Sequence, residues 1–388
     1  MNSNRPSFSL YVHIPYCISK CPYCDFNSHV VSRIPEQRYT GALIRELKGY
    51  GLREPWRKRT LRSIFFGGGT PSTFDPESIE RVLSSAASLF PFEKEIEITL
   101  ESNPGTADVA HFKGYRSCGV NRISLGAQSF QDHLLKFLGR IHSADETRRA
   151  VEMVCRAGFD NFNLDLIYAI PGQSIFDLKA DLEEAVRFRP PHVSAYNLTF
   201  EDGTPFYQEY RAGKLQPLPE EEEIDMVELV EETLQGAGLS RYEISNYGRS
   251  GFFCQHNLNY WQSGDYLGIG AGAHSYTAIT HEKSGQRWHN EKNPGRYMEK
   301  IEREGQAAMG EEKRDLQTAA GEFMFVGLRL LEGIPVQVFV ERFGTEPKRF
   351  YPQISDWIEH GLMEEKKGRL SLTRQGLLVA NSLFVNFV

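Results

Sequence analysis

Short apolar runs alternate with amphipathic helical stretches along the first half of the chain. The strand-like runs cover residues 9–14, 63–66, 95–100, 122–125, 162–167 and 192–198. Apolar residues recur at helical spacing between them, over residues 36–49, 76–89, 107–117, 144–157 and 176–188. Strands that alternate with helices in this way are typical of βα units around a parallel sheet. The pattern predicts an α/β fold in which six units form an open or partial (β/α)6 barrel.

The alternation ends near residue 200, and a different organisation follows. A long helix is predicted over residues 220–234, and an irregular stretch rich in glycine and aromatic residues begins at Asn246. A helical, winged-helix-like domain is predicted from helices near 317–331, 336–341 and 352–360, a hairpin over 362–372 and a last helix from Thr373. We therefore expect a core over residues 1–245, a connecting segment over 246–289 and a C-terminal domain over 290–388.

Composition narrows the possible partners and the compartment. The chain has 388 residues, and its net charge of −7 offers phosphates no broad basic face, so we expect no nucleic-acid partner. The polar N-terminus lacks the apolar centre of a signal peptide. No apolar run reaches the length of about 18 residues that a membrane helix needs. These features predict a cytoplasmic protein without a membrane span.

Three of the six cysteines fall within eight residues and carry the strongest chemical signal. Cys17, Cys21 and Cys24 form a C-x3-C-x2-C loop directly after the first strand. Thiolates are the usual ligands of iron–sulfur clusters. Three of them can hold three corners of a [4Fe–4S] cluster and leave the fourth iron open. The amino and carboxylate groups of S-adenosylmethionine (SAM) can chelate that iron, so the loop predicts both cofactors.

A structural zinc site is the alternative for these cysteines. Such sites usually have four closed protein ligands, commonly from paired C-x2-C units or from histidines. The chain has one C-x2-C pair in this region and no matching pair downstream, although His13 and His29 could complete a site. The spacing favours the iron–sulfur cluster.

The residues around the cysteines resemble a known superfamily. Residues 11–17 read Tyr-Val-His-Ile-Pro-Tyr-Cys, and residues 67–72 read Gly-Gly-Gly-Thr-Pro-Ser. Both strings resemble the radical SAM superfamily, and within it the oxygen-independent coproporphyrinogen dehydrogenase group and its relatives. The resemblance covers nearly the whole chain and implies that the partial barrel is a radical SAM barrel.

Candidate SAM contacts follow the second and third strands. Gly68, Gly69 and Thr70 lie in a loop whose glycines allow close approach of the backbone to a ligand, although a plain strand-to-helix turn is the alternative. Glu101 ends the third strand, where a carboxylate faces the ligand side of an α/β fold. It suits a ribose hydroxyl or an ammonium group, and the alternative is an exposed acid in a loop.

Five further positions are assigned by the resemblance. It implies that Gln128, Arg140 and Asp165 line a site for SAM or for a second SAM molecule. It also implies that Tyr11 and Tyr23 contact the cluster region. Taken alone, these residues are also compatible with capping, surface or core-packing roles, except that Asp165 interrupts an apolar strand and needs buried partners.

A second motif lies in the connecting segment. His256-Asn257-Leu258-Asn259-Tyr260-Trp261 resembles the HemW-type haem chaperone branch, in which the histidine is taken as a haem ligand. Imidazole is a common axial ligand of haem iron. Cys254 is a weaker candidate, and the alternative for His256 is a hydrogen-bonded structural histidine.

The resemblance leaves three functions to compare. A haem chaperone would bind haem and pass it to an acceptor protein, for which a respiratory protein is one candidate. Oxidative decarboxylation of coproporphyrinogen III is the alternative. The resemblance to coproporphyrinogen dehydrogenases is weaker, because those enzymes carry a further cysteine where this chain has Phe26, and a longer N-terminal extension. A third hypothesis is a cluster protein whose C-terminal domain binds a partner or nucleic acid. We expect the chaperone and assign no catalytic residue.

Overall fold

The structure, a computed structural model, describes residues 6–278, 285–313 and 315–387. Parts of the predicted domains at residues 1–5, 279–284, 314 and 388 lie outside these ranges. The strands of the first part are β1 Ser7–Ile14, β2 Tyr16–Cys17, β3 His29–Val30, β4 Thr60–Gly68, β5 Phe92–Ser102, β6 Arg122–Gln128, β7 Phe162–Tyr168 and β8 His192–Asn197. Its helices are α1 Glu36–Gly51, α2 Pro76–Leu89, α3 Val109–Ser117, α4 Asp132–Phe137, α5 Ala144–Arg156 and α6 Ile175–Arg187, with a 3-10 turn at Pro71–Thr73.

The second half supplies shorter elements. The middle part has α7 Pro205–Arg211, α8 Glu220–Gly236, β9 Ser240–Arg241, β10 Asn246–Gly248, α9 Gln255–Trp261, β11 Tyr266–Ile269, β12 His274–Thr277, β13 Gln286–Asn290, α10 Pro294–Glu304 and β14 Ala308–Lys313. The last part has α11 Leu316–Gly327, β15 Ile334–Pro335, α12 Val336–Phe343, α13 Pro347–Phe350, α14 Gln353–Glu359, β16 Met363–Lys366, β17 Arg369–Leu372, α15 Arg374–Leu378 and α16 Ala380–Phe384. None of the described helices is both long and apolar enough to span a bilayer.

Twelve of the described strands form one sheet in the order β14-β13-β12-β11-β1-β4-β5-β6-β7-β8-β10-β9. Its centre, from β11 through β1 and β4 to β8, is parallel, and both flanks are antiparallel. The predicted α/β fold is confirmed, and all six predicted strands lie in the parallel part. The sequence reading missed β11, because its four residues lie within a stretch of glycines and aromatic residues.

The two faces of the parallel strands differ in chemistry. Phe8, Leu10 and Val12 of β1 belong to the main hydrophobic cluster, which also contains buried side chains of α1 and α2. The alternate residues of the strands are often polar and are buried as well, such as Ser9 and Ser63. Because side chains alternate across a strand, the sheet has an apolar face under the helices and a polar inner face.

Residues 246–289 contribute to this same sheet rather than lying apart from it. Glu46 of α1 accepts hydrogen bonds from the Tyr297 hydroxyl at 2.6 Å, the Asn290 side-chain amide at 2.7 Å and the Gly270 backbone N–H at 2.9 Å. This buried carboxylate therefore fixes α1 to β13, α10 and the turn after β11. The predicted domain boundaries at 245 and 289 stay predictions.

The C-terminal residues form a second hydrophobic cluster with its own small sheet. Phe323, Phe339, Ile354 and Leu370 are among its buried side chains. The sheet has the order β15-β17-β16 and packs with α11, α12 and α14, so the predicted C-terminal domain is confirmed. The helix predicted from Thr373 is divided into α15 and α16.

Candidate functional site

A cavity of about 460 Å³ lies at the carboxyl ends of the parallel strands. This edge is where ligands usually bind in α/β folds, because the loops that follow the strands meet there. Most of the residues selected from the sequence line it together, although they are spread over almost 150 positions. These residues are Cys17, Cys21, Tyr23, Cys24, Gly68, Gly69, Thr70, Glu101, Gln128, Arg140 and Asp165.

The three cysteines occupy one wall of the cavity with free thiols. Thr70 Oγ1 donates to Cys17 Sγ at 3.5 Å, and Arg140 Nη1 donates to Cys21 Sγ at 3.6 Å. Burial raises the pKa of the Cys24 thiol, opposed by a hydrogen bond from the Phe26 backbone. Donors aimed at sulfur favour thiolates, which are the form that binds iron. This donor set fits the predicted cluster.

The zinc alternative is not supported by the two neighbouring histidines. His13 has its Nδ1 3.0 Å from the Tyr11 hydroxyl and its Nε2 2.9 Å from the carbonyl oxygen of Asn27. His29 Nε2 lies 3.2 Å from Asn27 Oδ1. Within the described ranges, no group of three or more His, Cys, Asp or Glu side chains converges on a point suited to a single metal ion. The bonds of His13 already occupy both ring nitrogens, which a ligand would need free.

The glycine loop owes part of its composition to packing inside the protein. Gly68 has a positive φ of 116°, and a Cβ there would collide with the His13 ring. A Cβ on Gly69 would lie 2.6 Å from the Tyr16 carbonyl oxygen. The close approach that requires glycine is therefore between β4 and the first strands. Both residues also line the cavity, so a ligand contact through their backbone stays a prediction.

Glu101 presents a carboxyl group with an unusual pKa to the cavity. Burial and the negative charge of Asp165 together raise the pKa of Glu101 to about 8, although the hydrogen bond from the Gly68 backbone N–H opposes the shift. That N–H donates to Glu101 Oε2 at 3.1 Å. Burial also raises the pKa of Asp165, although Asn163 and Ser124 donate to it. Two acids this close favour a ligand that brings positive charge or hydroxyl donors.

A chain of hydrogen bonds connects Arg140 to the glycine loop. Arg140 Nη2 donates to Asn103 Oδ1 at 2.6 Å and to the Gly126 carbonyl oxygen at 3.1 Å. Asn103 Nδ2 then donates to Thr70 Oγ1 at 3.0 Å. Asn103 lines the cavity but was not selected from the sequence, although its position two residues after Glu101 at the end of β5 was a usable signal.

Gln128 and Tyr23 complete the predicted lining. Gln128 ends β6 with a φ of 65°, a left-handed conformation that is uncommon for residues other than glycine and is often found at functional sites. Burial raises the pKa of the Tyr23 phenol, and Arg140 hydrogen-bonds to it. Tyr23 therefore helps to fix the guanidinium beside the cysteine loop.

Tyr11 and His256 are not among the residues that line the cavity. His256 is 1% exposed, and its imidazole ring packs against the rings of Phe65 and Tyr260 at centroid distances of 5.1 and 4.8 Å. Its Nδ1 is 2.9 Å from Ser63 Oγ and its Nε2 is 2.9 Å from the Tyr260 hydroxyl. Burial lowers the pKa of His256 to about 3. The assignment of His256 as haem ligand stays a prediction, and in this structure both of its ring nitrogens lie at hydrogen-bond distance from a hydroxyl group.

The motif around His256 instead closes the polar inner face of the sheet. Glu97 of β5 accepts a hydrogen bond from the His256 backbone N–H at 3.2 Å and from Cys254 Sγ at 3.6 Å. Arg122 Nε lies 3.9 Å from the same carboxylate, and its side chain is buried. Helix α9 therefore supplies partners to groups that would otherwise be buried and unpaired. Cys254, the weaker haem candidate, is buried in the same contact.

Comparison with known proteins adds family relationships to this geometry. The sequence matches the family models of the radical SAM superfamily over residues 11–185 and the HemN C-terminal domain over residues 315–379. The heme chaperone HemW of Haemophilus influenzae is 41% identical over 388 residues, covering 99% of this chain and 98% of that protein. The heme chaperone HemW of Escherichia coli is 37% identical over 391 residues, with coverage of 99% and 98%.

A solved structure supports the fold. The radical SAM enzyme coproporphyrinogen III oxidase (HemN) from Escherichia coli matches with a TM-score of 0.81 and 19% identity. The match covers 99% of this chain and 90% of that one. At this identity the likeness establishes a shared architecture, including the C-terminal domain, and nothing about the reaction.

Proposed function

Because this chain belongs to the HemW family of the radical SAM superfamily, we propose that it is a haem chaperone, which binds haem and transfers it to an acceptor protein. One observation carries the proposal, the full-length match at 41% identity to a protein named for that function. The acceptor is a protein that needs haem, and a respiratory protein is one candidate.

We further propose that Cys17, Cys21 and Cys24 hold a [4Fe–4S] cluster and that SAM occupies the adjoining cavity. Such a cluster, when bound, supplies the electron that can cleave the S–C bond of SAM. The chain's own part is to bind and orient that ligand. Arg140 and Thr70 donate to two of the sulfurs, and Glu101 offers an acceptor to an ammonium or a ribose hydroxyl. Gln128 and Asp165 line the same cavity.

Oxidative decarboxylation of coproporphyrinogen III is the less supported candidate. Its support is the HemN structure, whose 19% identity carries the fold alone. Phe26 stands where a further cysteine is expected in those enzymes, and it is 62% exposed at the cavity wall. An aromatic ring at that wall supplies no thiol for the reaction.

The first prediction concerns the ligand set. Replacing Cys17, Cys21 or Cys24 by Ser should prevent formation of the cluster, because three thiolates are the minimum for three of its corners. Iron and sulfide content and the broad visible absorption are measured after anaerobic reconstitution. Cys118→Ser and Cys155→Ser are the matched controls and should reconstitute like the wild type. A cluster that survives in any of the first three variants would refute the assignment.

The second prediction concerns pH. The pKa of Glu101 is about 8 in the free cavity, so the carboxyl group is largely protonated at pH 7. A cationic or hydroxyl-bearing ligand favours the carboxylate, so binding of SAM should release a proton. The affinity of the protein for SAM should rise with pH, by at most about tenfold per pH unit, and level off above the pKa that Glu101 has in the free cavity.

Calorimetry of SAM binding to reconstituted protein, in buffers of different ionisation enthalpy, measures that proton. Glu101→Gln should release fewer protons than the wild type on binding SAM, because only the amino group that binds the iron still loses one, whereas Glu93→Gln, an exposed control on the same strand, should behave like the wild type. Wild-type binding that is independent of pH and releases no proton would contradict this role of Glu101.

The third prediction separates chaperone from dehydrogenase. Anaerobically reconstituted protein should bind one equivalent of haem, seen as a shifted Soret band. Incubation with reductant, SAM and coproporphyrinogen III should yield no protoporphyrinogen IX. Robust formation of that product, or the lack of any haem complex, would overturn the proposed function.

A further inference from the structure

A pair of histidines lies on the antiparallel flank of the sheet, outside the cavity. His274 of β12 and His289 of β13 are directly opposite each other in the register. Their ring centroids are 5.4 Å apart and the rings are tilted by 31°. Side chains at opposed positions on adjacent strands leave the sheet on the same face, so the two imidazoles form one surface feature.

The ring nitrogens of this pair are available. His274 is exposed and His289 is partly exposed. None of the four nitrogens of the two rings has a hydrogen-bond partner among the described residues. Partial burial lowers the pKa of His274, the neighbouring His289, Arg287 and Lys292 lower it further, and the carboxylate of Glu312 opposes the shift. These surroundings favour the neutral form of the His274 imidazole. A neutral imidazole with an unshared nitrogen lone pair is a good ligand for transition metals, including haem iron.

Charged and apolar groups surround the pair. Lys292 is exposed and close enough to shift the pKa of His274, and its side chain has no partner among the described residues. Met309 of β14 stands opposite His289 in the register and is 39% exposed. The Asn27 side-chain amide donates to the Lys292 carbonyl oxygen at 3.0 Å, so the cysteine loop borders this surface.

The segment that follows the cysteine loop has exposed apolar side chains. Val30 and Val31 follow closely after Asn27 and are 54% and 40% exposed. A divalent ion needs only the nitrogen ligands. An iron porphyrin also needs apolar surface for the macrocycle and a cation for its propionates, which Met309 opposite His289 and Lys292 near His274 can supply.

We propose that the His274–His289 pair is the haem site, where one imidazole binds the iron and Lys292 pairs with a propionate. This rests on the proposed function and moves the iron ligand away from buried His256. An exposed site with one axial bond suits cargo that has to be released, because the acceptor can approach the macrocycle without unfolding the sheet.

The test titrates hemin, hemin dimethyl ester and iron-free protoporphyrin IX into the full-length reconstituted protein. His274→Ala/His289→Ala should bind hemin on the order of tenfold or more weakly and lose the nitrogen-ligated Soret and electron paramagnetic resonance signals. Its affinity for iron-free protoporphyrin should not change. His360→Ala, an exposed control in the C-terminal domain, should match the wild type.

Lys292→Ala tests the propionate contact. It should weaken binding of hemin and leave binding of the dimethyl ester unchanged, because the ester has no carboxylate. All of these positions are partly or fully exposed, and equal circular dichroism and cluster content establish that the variants are folded.

The outcomes separate the two proposals. Failure of the wild type to bind hemin would refute both the proposed function and this site. Wild-type binding that the double variant reproduces in affinity and spectrum would overturn the site alone. Loss of Ni²⁺ binding in the double variant with unchanged hemin binding would also overturn it, since the pair would then be a site for a bare ion.

Discussion

Buried polar groups on the inner face of the parallel strands have to find hydrogen-bond partners, and this requirement organises the rest of the molecule. Toward the beginnings of the strands, α9 meets it by bringing its own backbone and side chains against Glu97 and Ser63. At the carboxyl ends of the strands, the polar side chains that face the cavity have fewer hydrogen-bond partners from the described residues. Glu101 keeps an elevated pKa there beside Asp165, and the cysteine loop covers the same space. The contacts near the beginnings of the strands therefore stabilise the fold, and the cavity at their carboxyl ends is suited to a ligand.

The sequence predicted the parallel core and the cysteine site well because both are encoded locally. A short apolar run marks a strand without knowledge of its neighbours, and the spacing of Cys17, Cys21 and Cys24 lies within one loop. Glu101 and Asp165 were recognised because they end or interrupt apolar runs. Asn103 was missed, although it connects Arg140 to Thr70, because its contacts cross between separate loops.

Some features could not be read from the sequence, for physical reasons. The motif at His256 indicated a haem ligand, but the type of residue does not reveal whether its ring nitrogens are already bonded. The pairing of His274 with His289 depends on strand register over fifteen positions, which the pattern of residues does not give. Strand β11 was overlooked for a similar reason, because its place in the sheet is set by β1 and not by its own composition. Thus the pairing of His274 with His289 emerged only from the fold.

The central claim is that the chain leaves one iron of its cluster open for SAM. Electron–nuclear double resonance tests it most directly, on the reduced, reconstituted protein with SAM carrying 15N in its amino group and 17O in its carboxylate. The account predicts hyperfine coupling of both labels to the cluster. A cluster signal that shows coupling to neither label at saturating SAM would contradict it.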